Sequence, residues 1–438
     1  MKVTEFKKRR KALLQHIGKG NIGLIASANE QVRNRDVHYP FRQDSDFYYL
    51  TGFNEPNALA VFIPGRKQGE YILFCREFDE QKARWEGAHA GLAGATDVHG
   101  ADDAFPIDDI DDILPGLLEN KNKVFYPMGR DSELDQKLLE WIGHLRQQSR
   151  TGVSAPMELA SLEQIVHELR LIKTAPEIKL MRNAAKISAE AHIKAMRACR
   201  PGVYEYQLEA EFIYHLKNNG LKSEAYPSIV AAGANACVLH YTDNQARLEP
   251  EQLILIDAGG ECDHYAADIT RTFPVSGRFN DSQKALYQRV LDTQLAVIDL
   301  VRPGLPWQEL HELSVKILTK SLVELGILSG KVSKLIKDKA YKPYYMHRIG
   351  HWLGMDVHDV GSYKVDDQWR ILEPGMVLTV EPGLYIPKDD NNVEAHWRGI
   401  GIRIEDDVLV TKDGYEVLTD LAPKSIAEIE QLMGAKGV

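Results

Sequence analysis

Leu248-Glu249-Pro250-Glu251-Gln252-Leu253-Ile254-Leu255-Ile256-Asp257-Ala258-Gly259 is matched further along the chain by Leu372-Glu373-Pro374-Gly375-Met376-Val377-Leu378-Thr379-Val380-Glu381-Pro382-Gly383. Laid over each other, the two stretches put Asp257 on Glu381, a shift of 124 residues (381 − 257). Each reads as a turn, a short apolar strand and a carboxylate at the strand's end. Working outward, Arg200-Pro201-Gly202 recurs as Arg302-Pro303-Gly304, and Leu239-His240-Tyr241 resembles Gly350-His351-Trp352. Downstream, Asp268 and Glu405 each fall in a strand-like segment with an arginine close by, Arg271 and Arg403. The shifts are unequal, so the pattern is a duplication with insertions and not a solenoid period. It predicts an α/β (α+β) fold with two similar halves, each lending two carboxylates to a shared interface.

That arrangement has a chemical consequence. An ionised carboxylate in or beside a buried strand is costly unless it is paired or holds metal. Any one of these acids alone reads as an ordinary cap or turn residue. Four of them, Asp257, Asp268, Glu381 and Glu405, at equivalent points of a duplication point to cations. A pseudo-twofold sets such carboxylates face to face, as a two-metal hydrolase needs for ions roughly 3.5–4 Å apart. His351 joins them as a candidate ligand, because three histidines (His347, His351, His358) fall among glycines and apolar residues between 347 and 358. Neutral imidazole is a good ligand, and a neighbouring imidazole can donate to an oxyanion. Oxygen donors with one imidazole favour Mn(II) by ligand hardness. The expected cofactor is thus two divalent ions, manganese by preference.

Composition narrows the partners. The chain has 438 residues, 44% hydrophobic and 26% charged, with a net charge of −10. An acidic chain of this kind argues against nucleic acid as a partner. The one basic cluster, Lys7-Lys8-Arg9-Arg10-Lys11, is expected to be a solvated helix face. No apolar run approaches a membrane span, and Leu13-Leu14 is followed at once by Gln15-His16, which does not fit a secretory segment. Cys75, Cys199, Cys237 and Cys262 show no paired spacing and read as free thiols, consistent with a cytoplasmic protein.

Residues 1 to 157 read as a first α/β domain, with strands expected at Ile22–Ala26, Phe47–Leu50, Ala58–Ile63, Tyr71–Cys75 and Lys123–Tyr126. Gly152 to Pro156 reads as the turn-rich boundary. From 158 to 438 the chain reads as one catalytic domain, opening with a helical spacing at Leu162, Ile165, Val166, Leu169 and Ile172 and a second helix from Pro176. Its helices precede strand-rich stretches, so its sheets are expected to be mixed or antiparallel. Rival motifs fail: His311-Glu312 lacks the second histidine of a zincin helix, Gly326 to Lys331 is one residue short of a P-loop, and neither a nucleophile elbow nor a dinucleotide fingerprint is present.

The motifs taken together resemble the metallopeptidases of the pita-bread fold, the family of methionine aminopeptidase, prolidase and aminopeptidase P. The residues that carry the resemblance are Asp257 with Asp268, His351-Trp352-Leu353-Gly354-Met355-Asp356-Val357-His358-Asp359, Val380-Glu381-Pro382-Gly383-Leu384-Tyr385 and Gly401-Ile402-Arg403-Ile404-Glu405-Asp406. Within the family the chain looks most like bacterial aminopeptidase P, through Tyr39 to Pro56 and through Ser228-Ile229-Val230 leading to His240-Tyr241-Thr242. One departure is Ser154-Ala155-Pro156, where the resemblance leads one to expect an arginine near the domain junction.

The resemblance implies a creatinase-like N-terminal domain before a pseudo-twofold pita-bread catalytic domain. It implies that Asp268 and Glu405 bridge both metals, that Asp257 binds one, and that His351 and Glu381 complete the other. The activity it implies is hydrolysis of the N-terminal Xaa-Pro bond by a hydroxide bridging the metals, on peptides with proline in second place. Glu381 would then shuttle the proton, His358 donate to the oxyanion or carbonyl, and His240 contact substrate. Arg403 would orient a bridging ligand or the substrate carbonyl, and His347, Tyr226 and Tyr385 would line the pocket for the proline ring. Asp36 is expected to reach the site of a neighbouring subunit in a homodimer or homotetramer, or else to be a surface residue. The rivals are prolidase, restricted to Xaa-Pro dipeptides, and a non-catalytic pita-bread binding protein, which the intact ligand set disfavours.

Overall fold

A computed structural model of the chain describes residues 1–434. The chain divides into two compact units, Met1–Arg170 and Leu171–Val438. The first is built on a six-stranded sheet of β1 (Ile22–Ala26), β2 (Leu59–Phe62), β3 (Tyr71–Cys75), β4 (Asp103–Pro106), β5 (Lys123–Tyr126) and β6 (Glu158–Ser161), in the order β4-β3-β2-β1-β5-β6. β1 to β3 pair antiparallel, while β4, β5 and β6 join in parallel, so the sheet is mixed. β6 lies along β5 from Lys123↔Glu158 to Tyr126↔Ser161. That pairing carries the first unit past Gly152–Pro156, and the division falls after Arg170 where the sequence suggested 157.

Two expectations for this unit are overturned. Phe47–Leu50 is not a strand but part of a helix, Ser45–Thr51, in which every residue is buried. Asp44 accepts from the Phe47 N–H (2.8 Å) and caps it. A short apolar run buried all round has no periodicity by which to tell helix from strand. The basic cluster in the first helix, Val3–Ile17, is not wholly solvated either, since Arg9 and Arg10 are buried. They donate to Tyr49 O (3.1 Å) and Leu50 O (3.0 Å), the unsatisfied carbonyls of that short helix's last turn.

The second unit repeats one plan twice. Its first half has α1 (Ala175–Ala198) and α2 (Glu205–Asn218), then β7 (Ile229–Ala232), β8 (Leu253–Asp257) and β9 (Thr270–Pro274) in the order β9-β8-β7. Its second half has α3 (Asp281–Leu300) and α4 (Trp307–Glu324), then β10 (Val377–Val380), β11 (Gly383–Ile386), β12 (Ile400–Arg403), β13 (Asp406–Val410) and β14 (Tyr415–Val417). Here β10-β13-β14 form one ladder and β11-β12 another. Every pairing of β7 to β14 is antiparallel. α1 starts where the Glu177 carboxylate accepts from the Thr174 N–H (2.9 Å) and hydroxyl (2.6 Å).

The duplication is visible in the backbone. The Gly202 N–H donates to Leu248 O (2.8 Å), and the Leu248 N–H donates to Val203 O (2.8 Å). In the second half, Gly304 donates to Leu372 O (2.9 Å), and Leu372 donates to Leu305 O (2.8 Å). β8 is buried along its whole length. Ile254 and Ile256 pack with Phe273, Leu286 and Ile402, while Leu255 packs with Ile229 and Ala231. Burial on both faces explains a continuous apolar run where a half-exposed strand would alternate.

Candidate metal centre

Strand ends deliver the acids. Asp257 is the last residue of β8, and Glu381 directly follows β10. Asp268 and Glu405 occupy the short irregular links just before β9 and β13, beside strands and not within them. A Cβ on Gly259 would lie 1.7 Å from Ala267 O, so only glycine lets the end of β8 approach the link that carries Asp268. The two halves meet here: the Glu405 N–H donates to Thr270 O (3.1 Å), and the Thr270 hydroxyl donates to Glu405 Oε2 (2.6 Å).

His351 is oriented by its surroundings. Its Nδ1 faces Trp352 O at 2.9 Å, and because a carbonyl only accepts, Nδ1 carries the proton. Nε2 is thereby turned toward Asp268 Oδ2 (3.4 Å) and Glu381 Oε1 (3.5 Å). Ligand atoms of Asp268, His351 and Glu405 all lie within 4.8 Å of one another. These residues, with Asp257 and Glu381, line a cavity of about 300 Å³ that also takes in Tyr226, His240, His347, His358 and Arg403. Pro227, Ile229, Leu239 and Val357 give it an apolar side.

Charge balance tests whether metal fits. Burial drives the carboxyls of Asp257 and Glu405 above the usual carboxylate range and Glu381 up to about 7, and neighbouring carboxylates push the same way. For His351 burial opposes charge, but the bond to Asp268 and the charge of Glu381 outweigh it and lift the imidazole to about 9. Arg403 Nη2 sits 2.6 Å from Asp257 Oδ2, a buried pair. Arg403 and a cationic His351 together still do not balance four acids. The oxygen-rich donor set with one imidazole fits divalent cations.

Three sequence expectations are redrawn by the geometry. The Tyr226 hydroxyl donates to Asp257 Oδ1 (2.7 Å) and also contacts Asp268 Oδ1, so it holds the acids as well as lining the cavity. Tyr385 is fully buried behind the cavity wall, where its oxygen accepts from Arg403 Nη1 (3.0 Å). His347 faces Arg348 O through Nδ1 (2.7 Å) and Tyr385 Oη through Nε2 (2.8 Å). Both its nitrogens are engaged, and burial keeps it neutral, down to about 3. Asp36 belongs to the first unit, in the exposed turn between Val32–Asn34 and Val37–His38.

Asp407 was not foreseen. It is buried, and its Oδ2 accepts from the Asp268 N–H (3.1 Å). In the run Glu405-Asp406-Asp407 it reads as one more solvated acid. Its only sequence signal is position, directly before the apolar Val408-Leu409-Val410.

In the first unit, Asp46, Glu163 and His167 also bring ligand atoms within 4.8 Å. Arginines already occupy that cluster: Arg170 lies 2.6 Å and Arg130 3.3 Å from Asp46, and Arg130 lies 2.8 Å from Glu163. It is an ion-pair network. A larger, open hollow of about 950 Å³ in the same unit is lined by His89 and several acids, among them Glu80 and Asp131, but among the described residues no three of these bring ligand atoms within 4.8 Å of one another.

Known proteins give the same picture. A sequence model of metallopeptidase family M24 matches residues 179–412, and one of the aminopeptidase P N-terminal domain matches residues 6–126. The chain is 44% identical to Xaa-Pro aminopeptidase of Escherichia coli (strain K12), over 98% of each chain. It is 42% identical to Xaa-Pro aminopeptidase of Haemophilus influenzae, over 98% of this chain and 97% of that one. Aminopeptidase PepP of Pseudomonas aeruginosa superposes with a TM-score of 0.98 at 54% identity, over 99% of this chain and 98% of that one. Zinc-substituted E. coli aminopeptidase P in complex with product gives 0.96 at 43%, over 99% of each chain. The expected architecture, an aminopeptidase P type N-terminal domain before a pita-bread catalytic domain, is borne out.

Proposed function

The chain belongs to metallopeptidase family M24, and on that premise we propose that it is a dinuclear-metal aminopeptidase removing the first residue from peptides with proline in second place. The observation that carries this reading is the convergence of Asp257, Asp268, His351, Glu381 and Glu405 on one cavity that His240 and His358 also line. Those five side chains would hold two divalent ions, and Mn(II) is the ion we assign. Such ions, when bound, supply Lewis acidity to the scissile carbonyl and to a water.

The rest is done by the chain's own groups. Glu381, in the cavity beside His351, is the group we assign to exchange the proton. It can take one from the attacking water and return it to the prolyl nitrogen, a poor leaving group until protonated. His358, kept below the ordinary imidazole range by partial desolvation and by the neighbouring His351, stays neutral and offers an N–H to the carbonyl oxygen as charge develops. His240 contacts the peptide. Arg403 holds Asp257 in place and offsets its charge. His347 cannot donate to substrate while Arg348 O and Tyr385 occupy its nitrogens, so its ring serves as a wall. With the apolar side of the cavity it forms the seat for the proline ring, whose tertiary amide offers no N–H to grip.

We further assign a cytoplasmic homo-oligomer, dimer or tetramer, in which Asp36 reaches a neighbouring subunit's site. No described helix is long and apolar enough to cross a membrane. The deciding experiment is hydrolysis of Arg-Pro-Pro and of an Xaa-Pro dipeptide after chelation, with and without Mn(II). Release of arginine from the tripeptide only with metal is expected. Cleavage of the dipeptide alone would make the protein a prolidase, and cleavage of neither would overturn the peptidase reading. Light scattering that finds a monomer would remove the oligomer.

A further inference from the structure

The second unit contains a charged pair that this chemistry leaves unused. Lys173 Nζ lies 2.9 Å from Asp359 Oδ2, and each side chain is 1% exposed. A buried ion pair contributes little net stability, since desolvation offsets its attraction, so its placement calls for another reason.

Asp359 closes a loop. Its N–H donates to Trp352 O (2.8 Å), the Gly354 N–H donates to Asp356 O (3.2 Å), and Gly354 O accepts from the Ala266 N–H (2.8 Å). A Cβ on Gly354 would lie 2.1 Å from Asp359 Oδ2, so glycine is what lets the loop settle onto the pair. Lys173 is anchored in turn, its N–H donating to Gly375 O (2.9 Å).

The loop carries His358. That imidazole lines the cavity and packs edge-on against His351, with ring centroids 4.3 Å apart. It is exposed, and no group among the described residues hydrogen-bonds it. Its place is therefore set by one ring contact and by its backbone, which is locked at the very next residue. We propose that Lys173 and Asp359 are positioning residues that hold His358 at the substrate face of the cavity, an inference that rests on the peptidase reading above.

The test is a double-mutant cycle on Arg-Pro-Pro with the manganese-loaded full chain, using Asp359→Asn in the wild-type and His358→Ala backgrounds. The expected result is a loss in kcat/KM of about tenfold or more in the wild-type background, the size typical of supporting partners, and almost none once His358 is gone. Mn(II) affinity, followed by electron paramagnetic resonance, is expected to stay unchanged. Lys173→Gln, which keeps a donor toward Asp359, gives the same cycle where Asp359→Asn fails to fold. Equal losses in both backgrounds would overturn the proposal, as would a parallel fall in Mn(II) affinity, which would place the effect on His351. Wild-type protein that does not cleave Arg-Pro-Pro would overturn the peptidase reading itself, and this inference with it.

Discussion

Two buried arginine–aspartate pairs each join the two halves, Arg271 with Asp406 and Arg403 with Asp257, and they differ in what else surrounds the acid. Asp406 has Arg271 at 2.7 Å and Lys424 at 2.6 Å, and it accepts from Gln294 (2.8 Å) and Thr419 (2.7 Å). Asp257 has Arg403 at 2.6 Å, the Tyr226 hydroxyl and, beyond them, more carboxylates. Burial works against the charge of both. At Asp406 the two cations outweigh it and hold the carboxyl down to about 2. At Asp257 Arg403 does not offset burial and the charge of Asp268, and the carboxyl stays raised. A saturated acid is structural, whereas an undercompensated one leaves room for a further cation.

The comparison is broken most severely from the saturated side. Arg271→Met strands buried charge and should cost about 3–5 kcal/mol of stability in urea unfolding. Adding metal tests the other side. At free Mn(II) one hundred times its Kd, the wild type should gain about 2.7 kcal/mol in thermal unfolding. Asp268→Ala should abolish that gain, and a gain that persists in this variant would place the ion elsewhere.

Acid sharpens the contrast. The Asp406 carboxyl is depressed from 3.8 to about 2, so its contribution is full above pH 4 and lost as pH falls toward 2. Asp406→Asn should remove that part of the acid transition, while Asp299→Asn on the exposed surface should leave it. Tyr385→Phe, which deletes the hydroxyl linking Arg403 to His347, should lower kcat/KM about tenfold with the fold intact. The smallest effect belongs to an exposed control: Arg182→Ala breaks a bond to Glu416 and should cost about 0.2–1 kcal/mol, vanishing in salt.

The duplicated stretches around Asp257 and Glu381 made the carboxylates legible, because apolar runs ending in acids are uncommon and their repetition removes the local explanation. The partners were not legible. Arg271 meets Asp406 across 135 residues and Tyr226 meets Asp257 across 31, and no local rule reports such distances. Asp406 and Asp407 look solvated in sequence, yet both are buried at the start of β13. The Ser45–Thr51 helix was hidden for the opposite reason, since burial on every side erased its period. Arg9 and Arg10 looked like surface charge because the carbonyls they satisfy belong to that same unrecognised helix.

The bond from the Glu405 N–H to Thr270 O also has a temporal meaning. It ties the centre to a contact between residues made far apart during synthesis, and contacts of long sequence separation form late because the intervening chain must first be ordered. A chain cut or stalled before β13 carries Asp257 and Asp268 but not the strand that completes their surroundings. Degradative capacity would then arrive only with the finished fold, so that unfinished copies pose no hazard to the peptides around them.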